Sequence, residues 1–221
     1  MNVNKQINYL HNLIPRNYLE RMNNDKVHSM KIAKKFSSQY WDGERKFGYG
    51  GYKYIEGRNE KLAKNLIRKF RLNSKSKILD MGCGKGYLLF DIKKIIPQIS
   101  IKGIDISKYA VKNSKKEISK YIKQHDIRKK TFFNNDEFDL VISINTLHNL
   151  KIFDLFKTLK EIRRISKKSY IVVESYTNEY ELFNLQCWAL TCQSFFSIDE
   201  WEWIFKNEKF SNNEYNFIFF E

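Results

Sequence analysis

The chain of 221 residues is 42% hydrophobic, with 17 Phe, 13 Tyr and 4 Trp, which supplies a sizeable core and excludes a disordered or collagen-like polypeptide. Forty Lys and Arg against 25 Asp and Glu leave a net charge of +15; 31 of the basic residues are Lys, spread over every predicted helix, and 9 are Arg. That balance reads either as the composition of solvated helix faces or as a field steering an anionic ligand. No apolar run is long enough for a membrane span, no secretory leader is visible, and Cys83, Cys187 and Cys192 form no CxxC set. A reduced, cytoplasmic setting with no metal site and no disulfide framework is therefore expected.

Apolar residues up to position 40 (Ile7, Leu10, Leu13, Ile14, Met22, Val27, Met30, Ile32, Ala33 and Phe36) recur at helical spacing and predict two or three short helices, with Pro15 opening one. His11 and His28 in this polar stretch are expected to be solvated. Residues 41–58 hold five of the nine glycines among Trp41, Phe47, Tyr49, Tyr52 and Tyr54, and read as a loop covering a site. Asn59 then opens an amphipathic helix to about residue 70. From residue 76 the pattern alternates. Strands are predicted at 77–81, 99–105, 138–144, 170–174 and 215–220, and helices at 87–96, 107–123 and 153–166, with another starting near Ser197. This predicts an α/β, doubly wound, Rossmann-like and mostly parallel sheet of six or seven strands, with helices on both faces and an N-terminal helical segment in front. Residues 1–58 are expected to form a cap and lid, and residues 59–221 the main domain.

Between the first strand and its helix stands Asp80-Met81-Gly82-Cys83-Gly84-Lys85-Gly86, and Asp105 ends the second strand nineteen residues after the last glycine. A dinucleotide turn spaces its glycines as GxGxxG, to seat a pyrophosphate on a helix N-terminus. Here they alternate behind an acid, and no GK[ST] follows. Alternating glycines let the main chain fold closely around a ligand without phosphate, Asp80 is suited to a cationic amino-acid tail, and Asp105 to both hydroxyls of a ribose. A ligand with an amine, a ribose and an adenine is S-adenosylmethionine.

These residues resemble the class I S-adenosylmethionine-dependent methyltransferases over about residues 59–175. The resemblance implies that Asp80, Gly82, Cys83, Gly84 and Gly86 form the donor turn, that Asp105 holds the ribose with Ile106 against the adenine, and that Asp126 faces the adenine amino group. The segment from Phe138 through Asn145 to His148 is similar to the one that lines the donor sulfonium and the acceptor. The stretches Tyr40–Gly43, Phe47–Tyr52, Leu147–Asn149 and Cys192–Trp201 also resemble bacterial methyltransferases of surface-polysaccharide assembly. Two departures stand out. Residues 126–138 are short and basic, and little chain follows Trp203 for the usual antiparallel strand pair, so the seventh strand is expected to be abbreviated or missing.

Methyl transfer from a sulfonium is an in-line displacement, and a hydroxyl acceptor also needs a base. His148 at the carboxyl edge of the sheet is the candidate, with Glu174 as an orienting group; the alternatives are a helix-capping His and a surface carboxylate. Tyr49 and Tyr54 in the aromatic loop are candidates to close over the donor through cation–π contact, and Arg58 to bind an acceptor anion. Asn145–Asn149 contains no acid, which argues against a metal, and no (D/N)PP(Y/F/W) turn follows the fourth strand. The expected activity is O-methylation of a small sugar-type or anionic metabolite, such as a sugar nucleotide, in capsule polysaccharide biosynthesis. An RNA methyltransferase and a non-catalytic donor-binding protein are the alternatives.

Overall fold

The computed structural model describes residues 10–12 and 15–221; the predicted helical positions Ile7, Leu13 and Ile14 lie outside the described residues. Six strands form one sheet: β1 (Lys77–Met81), β2 (Ser100–Asp105), β3 (Ile122–Gln124), β4 (Leu140–Ile144), β5 (Ser169–Glu174) and β6 (Tyr215–Ile218). They lie in the order β3-β2-β1-β4-β5-β6, and every pairing is parallel. The order reverses between β1 and β4, so the carboxyl ends of these strands open a crevice at the point where doubly wound sheets bind ligands. Among the described residues no antiparallel strand joins the sheet.

Alternation along the strands divides the core into two layers. Leu79, Met81, Val141, Ile171 and Val173 face the helices Ile152–Ile165 and Ile198–Asn207, while Ile78, Leu140, Ile142, Tyr170 and Val172 face Glu60–Phe70 and Tyr87–Ile95. Because both faces are covered, β4 and β5 read as nearly unbroken apolar runs.

The predicted helix over 107–123 is not continuous. Ser107 caps Lys108–Lys112 by accepting from the Ala110 amide, but the Lys115 amide then donates to Lys85 O at 3.1 Å, drawing the chain toward the glycine turn. A 3-10 turn, Lys116–Tyr121, and the three-residue β3 take the place of the missing turns. Gly86 explains the detour: a Cβ there would lie 2.3 Å from Ile122 Cδ1 and 2.9 Å from Ile118 Cδ1.

Short helices Tyr18–Asn23, Lys26–Ala33 and Ser38–Asp42 precede the sheet. Pro15 stands outside them, and Asn17 is the cap of the first, accepting from the Glu20 amide. This layer lies against the helix Glu179–Trp188, which the sequence reading had not located: Lys26 Nζ donates to Cys187 O at 2.6 Å, and Arg21 Nε to Trp188 O at 3.4 Å. No helix among the described residues is long and apolar enough to cross a membrane.

Candidate active site

The turn after β1 is built from left-handed backbone. Gly82, Gly84 and Gly86 have φ of +84°, +55° and +76°, a region that side chains with a Cβ rarely enter. Space is short as well: a Cβ on Gly82 would lie 2.2 Å from Thr146 Oγ1, and one on Gly84 would lie 2.9 Å from the Trp41 ring. Asp105 braces the turn from β2. Its Oδ2 accepts from the Gly84 amide at 2.8 Å, and its Oδ1 accepts from the Ser107 amide at 2.8 Å.

A cavity of about 470 Å³ opens here, lined by Asp80, Gly82, Cys83, Gly84, Asp105 and Ile106, with Asp126, Ile127 and Asn145 further along. Asp80 is 6% exposed, and burial together with the nearby Asp105 carboxylate pushes its carboxyl up to about 7. No hydrogen bond or ion pair to the Asp80 carboxyl exists among the described residues, so β1 ends on a buried acid suited to a cation. Asn145, at φ +56°, adds a buried Oδ1 with no hydrogen-bond partner. These features fit the donor's ammonium and ribose, and Ile106, partly exposed in the wall, offers an apolar face for the adenine.

Two expected donor contacts lie outside the lining of this cavity. Gly86 packs behind the turn rather than lining the cavity. Tyr54 lies away from the cavity, donating its hydroxyl to Asp91 Oδ1 at 2.6 Å. Asp126 lines the wall, its carboxylate oriented by Arg128, whose Nε and NH2 reach both its oxygens at 2.7–3.1 Å. Tyr49 is in the lining, stacked on Trp41 at 5.2 Å between centroids, and Tyr52 joins it. Tyr52 belongs to the aromatic loop expected to close over the donor, whereas Trp41 is a cavity residue with no donor role expected from the sequence.

A second cavity of about 400 Å³ shares Tyr40, Tyr49, Tyr52, Asn145, Asn149 and Thr191 with the first. Glu174 and His148 are polar residues of its wall. Their geometry fixes the proton: His148 Nδ1 accepts from the Glu174 amide at 3.2 Å, so Nε2 carries hydrogen and lies 3.4 Å from Glu174 Oε2. Burial pushes His148 down to about 3, so the ring is neutral, and its one acceptor nitrogen is already occupied by the backbone. Glu174 is no surface carboxylate. Its side chain is 16% exposed and its carboxyl is pushed up to about 7 by burial, against the pull of Arg16 and Lys26.

Arg16, Arg21, Arg45, Lys53 and Arg58 also line this cavity. His11, expected to be solvated, is half-buried with its ring edge-on to Phe220 at 4.8 Å, whereas His28 is exposed. Trp188 is a wall of the cavity, while Trp201 is fully buried core and Trp203 is exposed.

Such a turn, braced acid and crevice define a nucleoside-binding α/β domain. A family model described as a methyltransferase domain matches residues 72–215, and the chain belongs to that family. The domain is thus an S-adenosylmethionine-dependent methyltransferase domain, with S-adenosylmethionine as its cofactor. Ribosomal RNA small subunit methyltransferase C of Haemophilus influenzae (strain PittGG) is 34% identical over 90 residues, covering 40% of this chain and 27% of that protein. The chain therefore spans about a quarter of the length of the curated relative it matches. Among solved structures, a SAM-dependent methyltransferase from Archaeoglobus fulgidus superposes with a TM-score of 0.54 at 21% identity, over 69% of this chain and 70% of that one. The YcgJ protein from Bacillus subtilis gives 0.54 at 18% identity, over 66% and 67%. These two likenesses are of fold.

Proposed function

We propose that the protein methylates a hydroxyl group of a small, anionic, sugar-type acceptor held in the second cavity, with Glu174 as the base. The observation that carries this reading is the position of Glu174: a buried carboxyl, raised to about 7, in the wall of a cavity that adjoins the donor crevice. A base whose pKa lies near the working pH is suited to taking a proton from a hydroxyl as the oxygen attacks.

When bound, S-adenosylmethionine supplies an electrophilic methyl group on a sulfonium. Asp80 would hold its ammonium, Asp105 its ribose, and Ile106 its adenine. Glu174 accepts the acceptor's proton on a carboxylate oxygen. His148 accepts the Glu174 amide at Nδ1 and sets its Nε2 beside the Glu174 carboxylate at 3.4 Å, which makes it a positioning residue in place of the base expected from the sequence. Trp41, Tyr49 and Tyr52 cover the junction of the two cavities and keep water away from the reacting atoms. The likeness of the aromatic and Leu147–His148–Asn149 stretches to methyltransferases of surface-polysaccharide assembly supports a sugar-type acceptor.

A second reading, RNA methylation, is favoured by the +15 charge and by the ribosomal RNA methyltransferase relative. Mass spectrometry of products from sugars, sugar phosphates, sugar nucleotides and RNA, each with S-adenosylmethionine, separates the two. Methylated RNA without a methylated small molecule would overturn the proposal.

A further inference from the structure

Lysine outnumbers arginine 31 to 9 in this chain, yet arginines, not lysines, gather around Trp188. The guanidinium carbons of Arg16, Arg21 and Arg45 lie 5.4, 4.8 and 5.1 Å from the centroid of its ring. Backbone carbonyls help to hold all three, and Arg16 also bonds the Tyr18 side chain and is drawn toward Glu174. Arg21 donates to Arg45 O at 2.6 Å, Arg45 to Gly48 O at 2.6 Å, and Arg16 to His11 O at 2.9 Å. Carbonyls orient a guanidinium without neutralising it, and no ion pair among the described residues includes Arg21 or Arg45. Lys53 and Arg58 add charge to the same wall, and Glu174 is the cavity's one acidic side chain among the described lining residues.

Like charges brought together in a partly enclosed site repel, and an anion relieves the repulsion. Burial and then Arg45 push Arg21 down to about 10, and burial and then Arg21 push Lys26 down to about 8. Planar guanidinium forks fixed by carbonyls match the oxygens of a phosphoryl group, and their number suits a dianion better than a single carboxylate. A cavity of about 400 Å³ beneath a folded loop admits a small molecule, whereas a nucleic acid strand is bound by an open basic track.

We propose that Arg16, Arg21 and Arg45 around Trp188 form a phosphoryl-binding subsite of the acceptor cavity, so that the acceptor is a small phosphorylated hydroxyl compound. The subsite seats the phosphoryl group and leaves a hydroxyl to meet Glu174 on the same cavity wall. This inference rests on the methyltransferase reading of the adjoining crevice, and its test separates the two.

Calorimetry of the full chain with S-adenosylhomocysteine comes first; failure of that ligand to bind overturns the donor reading itself. The chain saturated with it is then titrated with inorganic phosphate, glucose 1-phosphate, glucose, glucuronate and a single-stranded RNA 12-mer. Glucose 1-phosphate is expected to bind at least tenfold more tightly than glucose or glucuronate, and inorganic phosphate to compete with it. Arg45→Met and Arg21→Met are each expected to weaken glucose 1-phosphate at least tenfold while S-adenosylhomocysteine binds as before. Arg45 is exposed, so its variant keeps the test meaningful if Arg21→Met fails to fold. Glucuronate binding as tightly as glucose 1-phosphate, no binding of either phosphate ligand, unchanged affinity in Arg45→Met, or RNA binding that displaces phosphate would each overturn the subsite.

Discussion

Lys85 Nζ lies 2.7 Å from Asp42 Oδ2, and its side chain is 5% exposed. The same ammonium donates to Asp42 Oδ1 and to Tyr52 O, both at 2.8 Å, so its three hydrogens bind the aromatic loop to the donor turn. Tyr109 supports the arrangement by donating to Asp42 Oδ2. The aromatic loop is therefore fastened at the middle of the glycine motif by one buried cation, beside its own backbone bonds to Tyr40 and Trp41. Lys85→Met keeps the length of the stem and removes the fastening. It is expected to speed amide hydrogen exchange across residues 45–58 and to weaken S-adenosylhomocysteine about tenfold, roughly 1.4 kcal/mol. Unchanged exchange in the loop would show that the clasp holds nothing.

Asp80 makes donor binding depend on pH. Burial and Asp105 raise its carboxyl to about 7, so it is largely protonated in weak acid, and the donor's ammonium favours the ionised form. Binding should then release a proton below pH of about 7, with affinity rising up to about tenfold per pH unit until Asp80 ionises unaided. In the free protein the linkage has the opposite sense. The folded state holds this proton more tightly than the unfolded state, so ionisation costs stability progressively as pH climbs from the usual carboxylate range through about 7. Calorimetry in buffers of different ionisation enthalpy counts the protons, and Asp80→Asn is expected to abolish the release.

Glu174 sets the expected pH profile of turnover. Its carboxyl titrates near 7, so kcat should rise through that range and level off above it. Glu174→Gln is expected to lower kcat by about 10²- to 10⁴-fold with donor affinity preserved. His148→Gln should cost less and move the midpoint of the profile, because the ring acts on Glu174 and not on the acceptor. Full activity in Glu174→Gln would remove it as the base.

Asp105 holds the donor turn before any ligand arrives, through the Gly84 and Ser107 amides. Asp105→Ala removes that brace together with the ribose partner. Donor affinity is expected to fall at least tenfold, about 1.4 kcal/mol or more, and unchanged affinity would refute the ribose assignment.

The parts of the fold visible in the sequence are those with local causes. Alternating glycines behind Asp80 and the apolar runs of β4 and β5 carry their own geometry, and Ile152–Ile165 has a long helical period. The three residues of β3 are too few to show alternation, and β3 is a strand through its pairing with β2, a contact between segments distant in the chain. Glu179–Trp188 carried a signal that went unused: Asn178 followed by Glu181, the cap that the structure forms. The second cavity has no local cause in the sequence. Arg16, Arg21, Arg45 and Trp188 come from distant segments, and the clue was chemical rather than periodic, namely arginine in a chain that otherwise prefers lysine. Similarly, the sequence placed His148 at the right edge, while the direction of its proton depends on the Glu174 amide, which only the fold brings to it.

Glu161 tests how the short basic stretch before β4 is held without regular structure. Its Oε1 accepts from the Thr131 amide at 2.8 Å and from Thr131 Oγ1, and Arg164 reaches both carboxylate oxygens at 2.6 and 2.8 Å. Burial alone would raise this carboxyl, but these bonds outweigh it and hold it down to about 2. The sign follows from the lowered value: the stabilisation is complete above the unfolded carboxyl's range near 4.5 and is lost as pH falls through about 2. Glu161→Gln keeps an acceptor for Thr131 but gives up the charge facing Arg164, so a loss of about 2 kcal/mol is expected at neutral pH. Urea denaturation of both proteins at pH of about 7 and about 2 provides the check, because the difference should shrink in acid as the native protein loses the same charge. An equal gap at both pH values would assign the effect to packing of residues 126–138 and not to the ion pair.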